Sequence, residues 1–532
     1  MVNRSFHDMF LIKFNFIFFI LLFLSSCSQV TKITHVKVKK EEIKSLEYRI
    51  SPIIDSFGKS NLSVKLTINF DFKDLKHKKL LEIKLPEKFG PVDDLYKEIK
   101  DLKVLTQGIK LKNTKDNSIK QLRNIKRDTV TLNYTLVPTV DANQDCRETK
   151  VYYRPLITKD FFHVIGHGLF ILPGCFELDS RVSVNIYWEG FDTNYSLANS
   201  HGVNNHVQKL NISVQELLHA VYTGGDFRIY KIECKQAPIF VAIRGNWLFK
   251  DTDFVLMVNK IISAQREFWN DYDFPYFLIT VIPVIKSENI CMTGGTGLEN
   301  SFAMFLGSKK FMTLHKLAWT ISHEHFHTWN GRKIGRQEPE ALIYWFAEGF
   351  TSYYTVLLNL RAGIYTIDNY VKEYNKTLLN YFISPVRNEE NIEILKKFWV
   401  NHDIEHLPYY RGTILAHEWN LHIKKESKER YSLDNVMFDI LYQAQKNKRV
   451  FTAELFDNVI KKYLKEGVAQ EIDMYIDRGE TIELSPDALG PCFMLAWEKK
   501  KIKDKEFIVP YYYCDSSHKL NCAVCKKWFG IK

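Results

Sequence analysis

The sequence lacks several features, and each absence removes a class of reading. It contains no internal repeat and no low-complexity stretch, which leaves ordinary packed domains rather than a solenoid or a biased linker. Past residue 24 no long apolar run recurs, so no later segment reads as a membrane span. Basic residues are not interleaved with aromatics. The lysines are scattered, with Lys37, Lys39 and Lys40 near one end and Lys499, Lys500 and Lys501 near the other, and they read as solvated faces and a basic tether. Nucleic acid is therefore excluded as a partner. Cysteine is scarce, at nine in 532 residues. What remains is a chain 45% hydrophobic and 14% aromatic, enough to build about two to four packed domains.

The amino-terminal stretch stands apart from those domains. Arg4 and Lys13 form a basic start, and Phe14 to Leu24 is an apolar run of signal-peptide length, too short to span a membrane comfortably. Leu24-Ser25-Ser26-Cys27 then reads as a lipobox: cleavage before Cys27, acylation of that cysteine, and a body tethered to a bacterial membrane by lipid, with the outer membrane favoured by Ser28. An ordinary cleaved signal, or an uncleaved anchor with an incidental cysteine, is the plainer alternative. Removal of residues 1–26 takes away Arg4, Lys13 and Asp8, so the net charge falls from +11 to +10. Eight further cysteines (Cys146, Cys175, Cys234, Cys291, Cys492, Cys514, Cys522 and Cys525) permit disulfides in an exported chain. The tail set Cys514, His518, Cys522 and Cys525 has, alternatively, the spacing of a structural zinc site.

Chemistry concentrates in the middle. In His323-Glu324-His325-Phe326-His327 two histidines stand four apart, which on a helix puts both imidazoles on one face, one turn apart, where they can share a metal. Leu314, Leu317, Ala318 and Ile321 recur at helical spacing just before, so the motif falls on a helix. A catalytic zinc takes three protein ligands and keeps a fourth position open. Glu348, in the apolar helix-compatible segment Tyr344–Leu360, is the natural third, and Glu324 is placed to accept a proton from the water. The expected cofactor is one catalytic Zn2+.

Four segments together resemble the glycyl aminopeptidase family, metallopeptidase family sixty-one: HEHFHTWNGRKIG (323–335), WFAEGFTSYY (345–354), GGTGLENS (294–301) and YYRGTIL (409–415). The resemblance runs to about Leu484, and the 55 residues after Asp477 are too few for the PDZ-like domain common in that family. It implies a zincin with a glutamate as third ligand. It implies that Tyr409, in a motif similar to the relatives' Y-x-K-G, donates a hydrogen bond to the oxyanion, with Tyr410 as the rival. It also implies that Glu299, in the glycine-rich motif, pairs with a substrate's α-ammonium, which selects peptides with a free N-terminus and small first residues such as glycine or alanine. His402 and His406 lie close to Tyr409 in sequence without an assigned role.

The expected architecture is α+β. Residues 1–26 are a signal peptide, 27–46 a tether, and 47–235 a β-rich domain. The last is marked by strict alternation from Leu62 to Phe72 and again over 129–137, 181–188 and 227–232. Residues 236–484 form a thermolysin-like catalytic domain with a mixed sheet, an edge strand at Leu298–Leu306 and the active-site helix, followed by helices at 365–382, 412–424, 432–444 and 452–464. Residues 485–532 are a cysteine-containing tail. Two alternatives stay open: a zinc endopeptidase with the same metal site, and a surface lipoprotein whose metal site is a relic. The sequence carries no signal of oligomeric state.

Overall fold

A computed structural model describes residues 36–73, 78–139, 153–234, 237–273, 276–283, 293–307, 310, 312–502, 504–514 and 523–531. The expected signal peptide, its lipobox and Cys27, together with Cys146, Cys291, His518 and Cys522, lie outside the described residues. Among the described residues no helix is long and apolar enough to cross a membrane.

Alternation turns into strand where it was expected. Ser60–Phe70 buries Leu62, Val64, Leu66 and Ile68, each at most 1% exposed, and turns Ser63, Lys65, Thr67 and Asn69 outward. It sits inside a six-stranded sheet in the order Val207–Ser213, Arg181–Trp188, Ile43–Ile54, Ser60–Phe70, Thr129–Leu136, Ile99–Val104. Two five-stranded sheets complete this half, and Tyr48 and Tyr134 satisfy their buried hydroxyls on the Ile171 and Leu169 carbonyls. The region begins earlier than the sequence suggested: Val36–Lys37 pairs with Lys79 and Leu80, and Ile43–Ile54 takes residues assigned to the tether into the sheet.

A further five-stranded sheet follows, in the order Arg228–Ile232, Ile239–Ile243, Phe277–Pro283, Ser301–Leu306, Thr293–Leu298. The two outer pairings are antiparallel and the two inner ones parallel. Two expectations change here. Arg228–Ile232 belongs to this sheet and not to the amino-terminal strands. The edge strand is the glycine-rich Thr293–Leu298, whereas Ser301–Leu306, fully buried, lies one place inside it. Helix Asp251–Trp269 crosses between the parallel strands, and Leu314–Phe326 follows the last strand, with the Thr313 side chain accepting from Lys316 N as its cap.

Beyond it the chain is helical, with helices Ile367–Ile383, Asn391–Lys397, His402–Glu426, Leu433–Asn447 and Ala453–Ile460. The long helix starts ten residues before the expected Gly412, because Pro408 is accommodated within its second turn. The last segment is no loose tail. Strands Phe493–Ile502 and Lys505–Cys514 form a hairpin, and the Asn375 side chain binds Tyr512 like a neighbouring strand, donating to its carbonyl at 2.8 Å and accepting from its N–H at 2.7 Å. Cys492 and Cys525 form a disulfide, which removes Cys525 from the alternative tail zinc set. Cys175 and Cys234 are free thiols. The fold is a mixed α+β arrangement, β-rich first and helical after the active-site helix.

Candidate active site

His323 lies on the last turn of helix Leu314–Phe326, and His327 is its C-cap, still with helical dihedrals, so the four-residue spacing keeps both rings on one face. Glu348 comes from a π-helical turn, Trp345–Phe350, that leads into helix Thr351–Arg361. The three meet. His323 Nε2 is 3.1 Å and His327 Nε2 3.3 Å from Glu348 Oε2, and the two nitrogens are 3.2 Å apart. Tetrahedral ligands at zinc distances stand roughly 3.3 Å from one another. The donor set, two imidazoles and a carboxylate, and its spacing therefore fit a zinc ion with a fourth position open.

Each ligand is held from behind. His327 Nδ1–H donates to the Asn330 carbonyl at 3.0 Å, which fixes the tautomer and leaves Nε2 facing the site. The Asn330 amide in turn donates to the Phe346 carbonyl at 3.1 Å and to Thr351 Oγ1 at 3.0 Å, tying the chain after one ligand to the turn that carries another. His323 lies nearly parallel to Trp319, centroids 4.8 Å apart. Below, Gln265 bonds Ser322 O at 2.7 Å and His325 Nδ1 at 2.7 Å, so His325, the motif's middle histidine, is structural. The π turn is wedged by Phe346 stacked on Phe451 at 3.7 Å. Electrostatics agree with the geometry. Burial alone would raise the Glu348 carboxyl, but His327 and His323 hold it well below its usual range. Burial would likewise depress His327, and Glu348 more than reverses it.

Glu324 and Tyr409 flank this centre. Glu324 lines a cavity of about 650 Å³ together with Trp319, His323, Tyr409, Tyr410 and His406. The edge strand comes close: a methyl built on Gly297 falls 3.7 Å from Glu324 Oε2. Tyr409 sits on the long helix with its ring near-parallel to His323, centroids 5.9 Å apart. Burial, then the Glu348 and Glu324 charges, raise its hydroxyl well above the ordinary pKa. Tyr410, one position further along, lines the same cavity, and burial raises its hydroxyl. The approach of the helix depends on glycine. A Cβ on Gly412 would lie 1.8 Å from the Trp345 carbonyl, and one on Gly349 would lie 2.5 Å from Gly412 Cα.

Glu299 occupies the turn after the edge strand, its N–H donating to the His219 carbonyl at 2.6 Å. It is half-buried; burial raises its carboxyl and the Arg332 charge opposes that. Through the His219 carbonyl a residue of the amino-terminal half holds the turn that carries Glu299. Tyr153, from the same half, packs edge-on against Phe89 at 5.5 Å, and its hydroxyl is pushed up to about 12 by burial and by Glu324 and Glu405. Sequence reasoning missed Asn330, His219 and Tyr153. His219 and Tyr153 act across long separations, and Asn330, three residues past His327, shows its role only in the bonds its amide makes to Phe346 and Thr351.

Residues 316–402 match the family described as M61 glycyl aminopeptidase, a stretch that runs from the active-site helix to the start of the long helix. Among solved structures, the chain is similar to an aminopeptidase N family protein from Idiomarina loihiensis, at 17% identity over 85% of this chain and 79% of that one, TM-score 0.69. An M1 zinc metallopeptidase from Deinococcus radiodurans aligns at 13% identity over 83% of this chain and 95% of that one, TM-score 0.47. No curated protein matches.

Proposed function

From a chain that is a zinc metallopeptidase of the glycyl aminopeptidase-like kind, we propose an aminopeptidase that holds one zinc and releases small N-terminal residues, glycine or alanine, from peptides. The observation that carries this reading is Glu299, held beside the edge strand by the His219 carbonyl while the 650 Å³ cavity runs off past His323 towards Tyr410 and His406. An extended peptide lies along Thr293–Leu298, its α-ammonium pairs with Glu299, and the remainder of the chain fills the cavity.

His323, His327 and Glu348 would hold the zinc, which when bound would supply Lewis acidity and activate a water. Glu324 takes the proton of the attacking water and delivers it to the leaving amine. Tyr409 donates its O–H to the oxygen that gains charge, and burial, with the Glu348 and Glu324 charges, keeps that hydroxyl protonated. Tyr153 and Phe89 limit the room for the first side chain. We place this activity outside the cytoplasm on a lipid anchor at Cys27. A Cys27→Ser chain should leave the membrane fraction or stall in processing; unchanged membrane association would refute the anchor.

The deciding experiment compares free and N-acetylated peptides. Wild type should cut free glycyl and alanyl peptides and leave acetylated ones intact. Glu299→Ala should lose about ten- to a hundredfold in kcat/KM on free peptides, the worth of a charge-assisted contact. Equal cleavage of blocked and free peptides would make the enzyme an endopeptidase on the same zinc site.

A further inference from the structure

A second constellation of ligands lines the same cavity. His402, Glu405 and His406 open the long helix, so two imidazoles four apart share a face with a carboxylate between them. The two rings are 4.3 Å apart, and His402 Nδ1 is 3.3 Å from Glu405 Oε2. One donor atom from each of the three lies within 4.8 Å of the others. His406 Nδ1 bonds the His402 carbonyl at 2.9 Å, and a carbonyl only accepts. That nitrogen therefore carries the proton, and Nε2 keeps its lone pair for a ligand. The turn is preformed: Asn401 Oδ1 accepts from the Asp403 and Ile404 N–H groups at 3.0 and 3.3 Å. Asp403 and Glu405 in that first turn offset the helix end's aversion to a cation.

We propose that His402, Glu405 and His406 form a second, exchangeable site for zinc or a similar divalent transition metal at the mouth of the active-site cavity, separate from the His323–His327–Glu348 centre. Imidazole and carboxylate donors select borderline metals over calcium or magnesium. The His402 side chain is 81% exposed and that of Glu405 41%, so the ion exchanges with solvent and binds more weakly than one enclosed by buried donors. The Tyr409 ring, 6.1 Å from His406 and 5.9 Å from His323, stands between the two sets. An ion held there shares the entrance with the incoming peptide. This proposal rests on its own three residues and not on the peptidase reading.

The test counts metal on the untagged full chain after equilibration with free zinc of about 10 µM, enough to fill a site with a Kd of about 1 µM. Wild type should hold two equivalents. His402→Ala/His406→Ala, changes at the exposed start of a helix, should hold one, and His323→Ala should hold one by losing the other ion. A wild type that stays at one equivalent and loses it in His323→Ala overturns the second site. So does a double variant that still holds two. A His323→Ala chain that loses nothing counts against the catalytic centre instead, which keeps the two failures distinguishable.

Discussion

Gly412→Ala is a small change with a large expected effect. A Cβ at this position lies 1.8 Å from the Trp345 carbonyl and 2.8 Å from Gly349 Cα. Restoring ordinary contact near 3.4 Å requires a displacement of roughly 1.5 Å. The π turn has little freedom to yield, because Asn330 bonds the Phe346 and Ala347 carbonyls within it and Thr351 Oγ1 just beyond it, and Phe346 is stacked on Phe451. The long helix moves instead, and Tyr409, one turn away on it, is carried off His323 and Glu348. An oxyanion donor is worth about 10²- to 10³-fold in kcat, and a 1 Å misplacement costs about a hundredfold. Gly412→Ala should therefore lose about a hundredfold in kcat on a glycyl or alanyl chromogenic substrate and keep its zinc, with a stability cost of about 1–3 kcal/mol from overpacking. Tyr409→Phe provides the control. If the alanine acts by displacing the tyrosine, the double variant should be no worse than the worse single one, since the same interaction is lost twice. A Gly412→Ala enzyme with most of its kcat, or a double variant whose losses multiply, would refute the reasoning.

Glu324→Gln should retain metal and fold while kcat falls by about 10²- to 10⁴-fold, the usual worth of a general base, and near-normal turnover would exclude that role. His323→Ala should lose the catalytic zinc by metal analysis; undiminished zinc at that centre would remove the ligand assignment. Glu418 is buried on the long helix, accepts from Ser485 N at 3.1 and 3.2 Å, and is pushed up to about 7 by burial. A folded pKa above the ordinary 4.5 means that its contribution to stability is full below pH 4.5 and is lost as pH rises through 7. Glu418→Gln should therefore remove about 3 kcal/mol of wild-type pH dependence between pH 5 and 8, read from denaturant midpoints, and parallel curves for the two proteins would contradict this.

Local chemistry was legible in the sequence, and long-range placement was not. The histidine pair and Glu348 could be read because a helix converts spacing into direction. The edge strand was displaced by one element because Gly294, Gly295 and Gly297 read as a turn, and only pairing with Ser301–Leu306 makes that segment a strand. Pro408 hid the first two turns of the long helix, since a proline mid-pattern signals a boundary. Tyr409 was preferred over Tyr410 on its place in the motif, and its stacking near His323 depends on the helix approach that Gly412 and Trp345 permit. His219 and Tyr153 reach the site from turns more than a hundred residues away in the chain from Glu324, beyond any periodicity.

The π turn under Glu348 also sets which mutations the gene can tolerate there. A π turn is an α-helix with one residue inserted, so deleting Gly349 or Phe350 would let the chain relax to regular helix. Every residue upstream would then rotate by about 100° relative to the helix beyond. The glutamate would survive in the sequence and face away from both histidines. Register at this point matters as much as residue identity, and a single-codon deletion should abolish metal binding at the His323–His327–Glu348 centre where many substitutions would not.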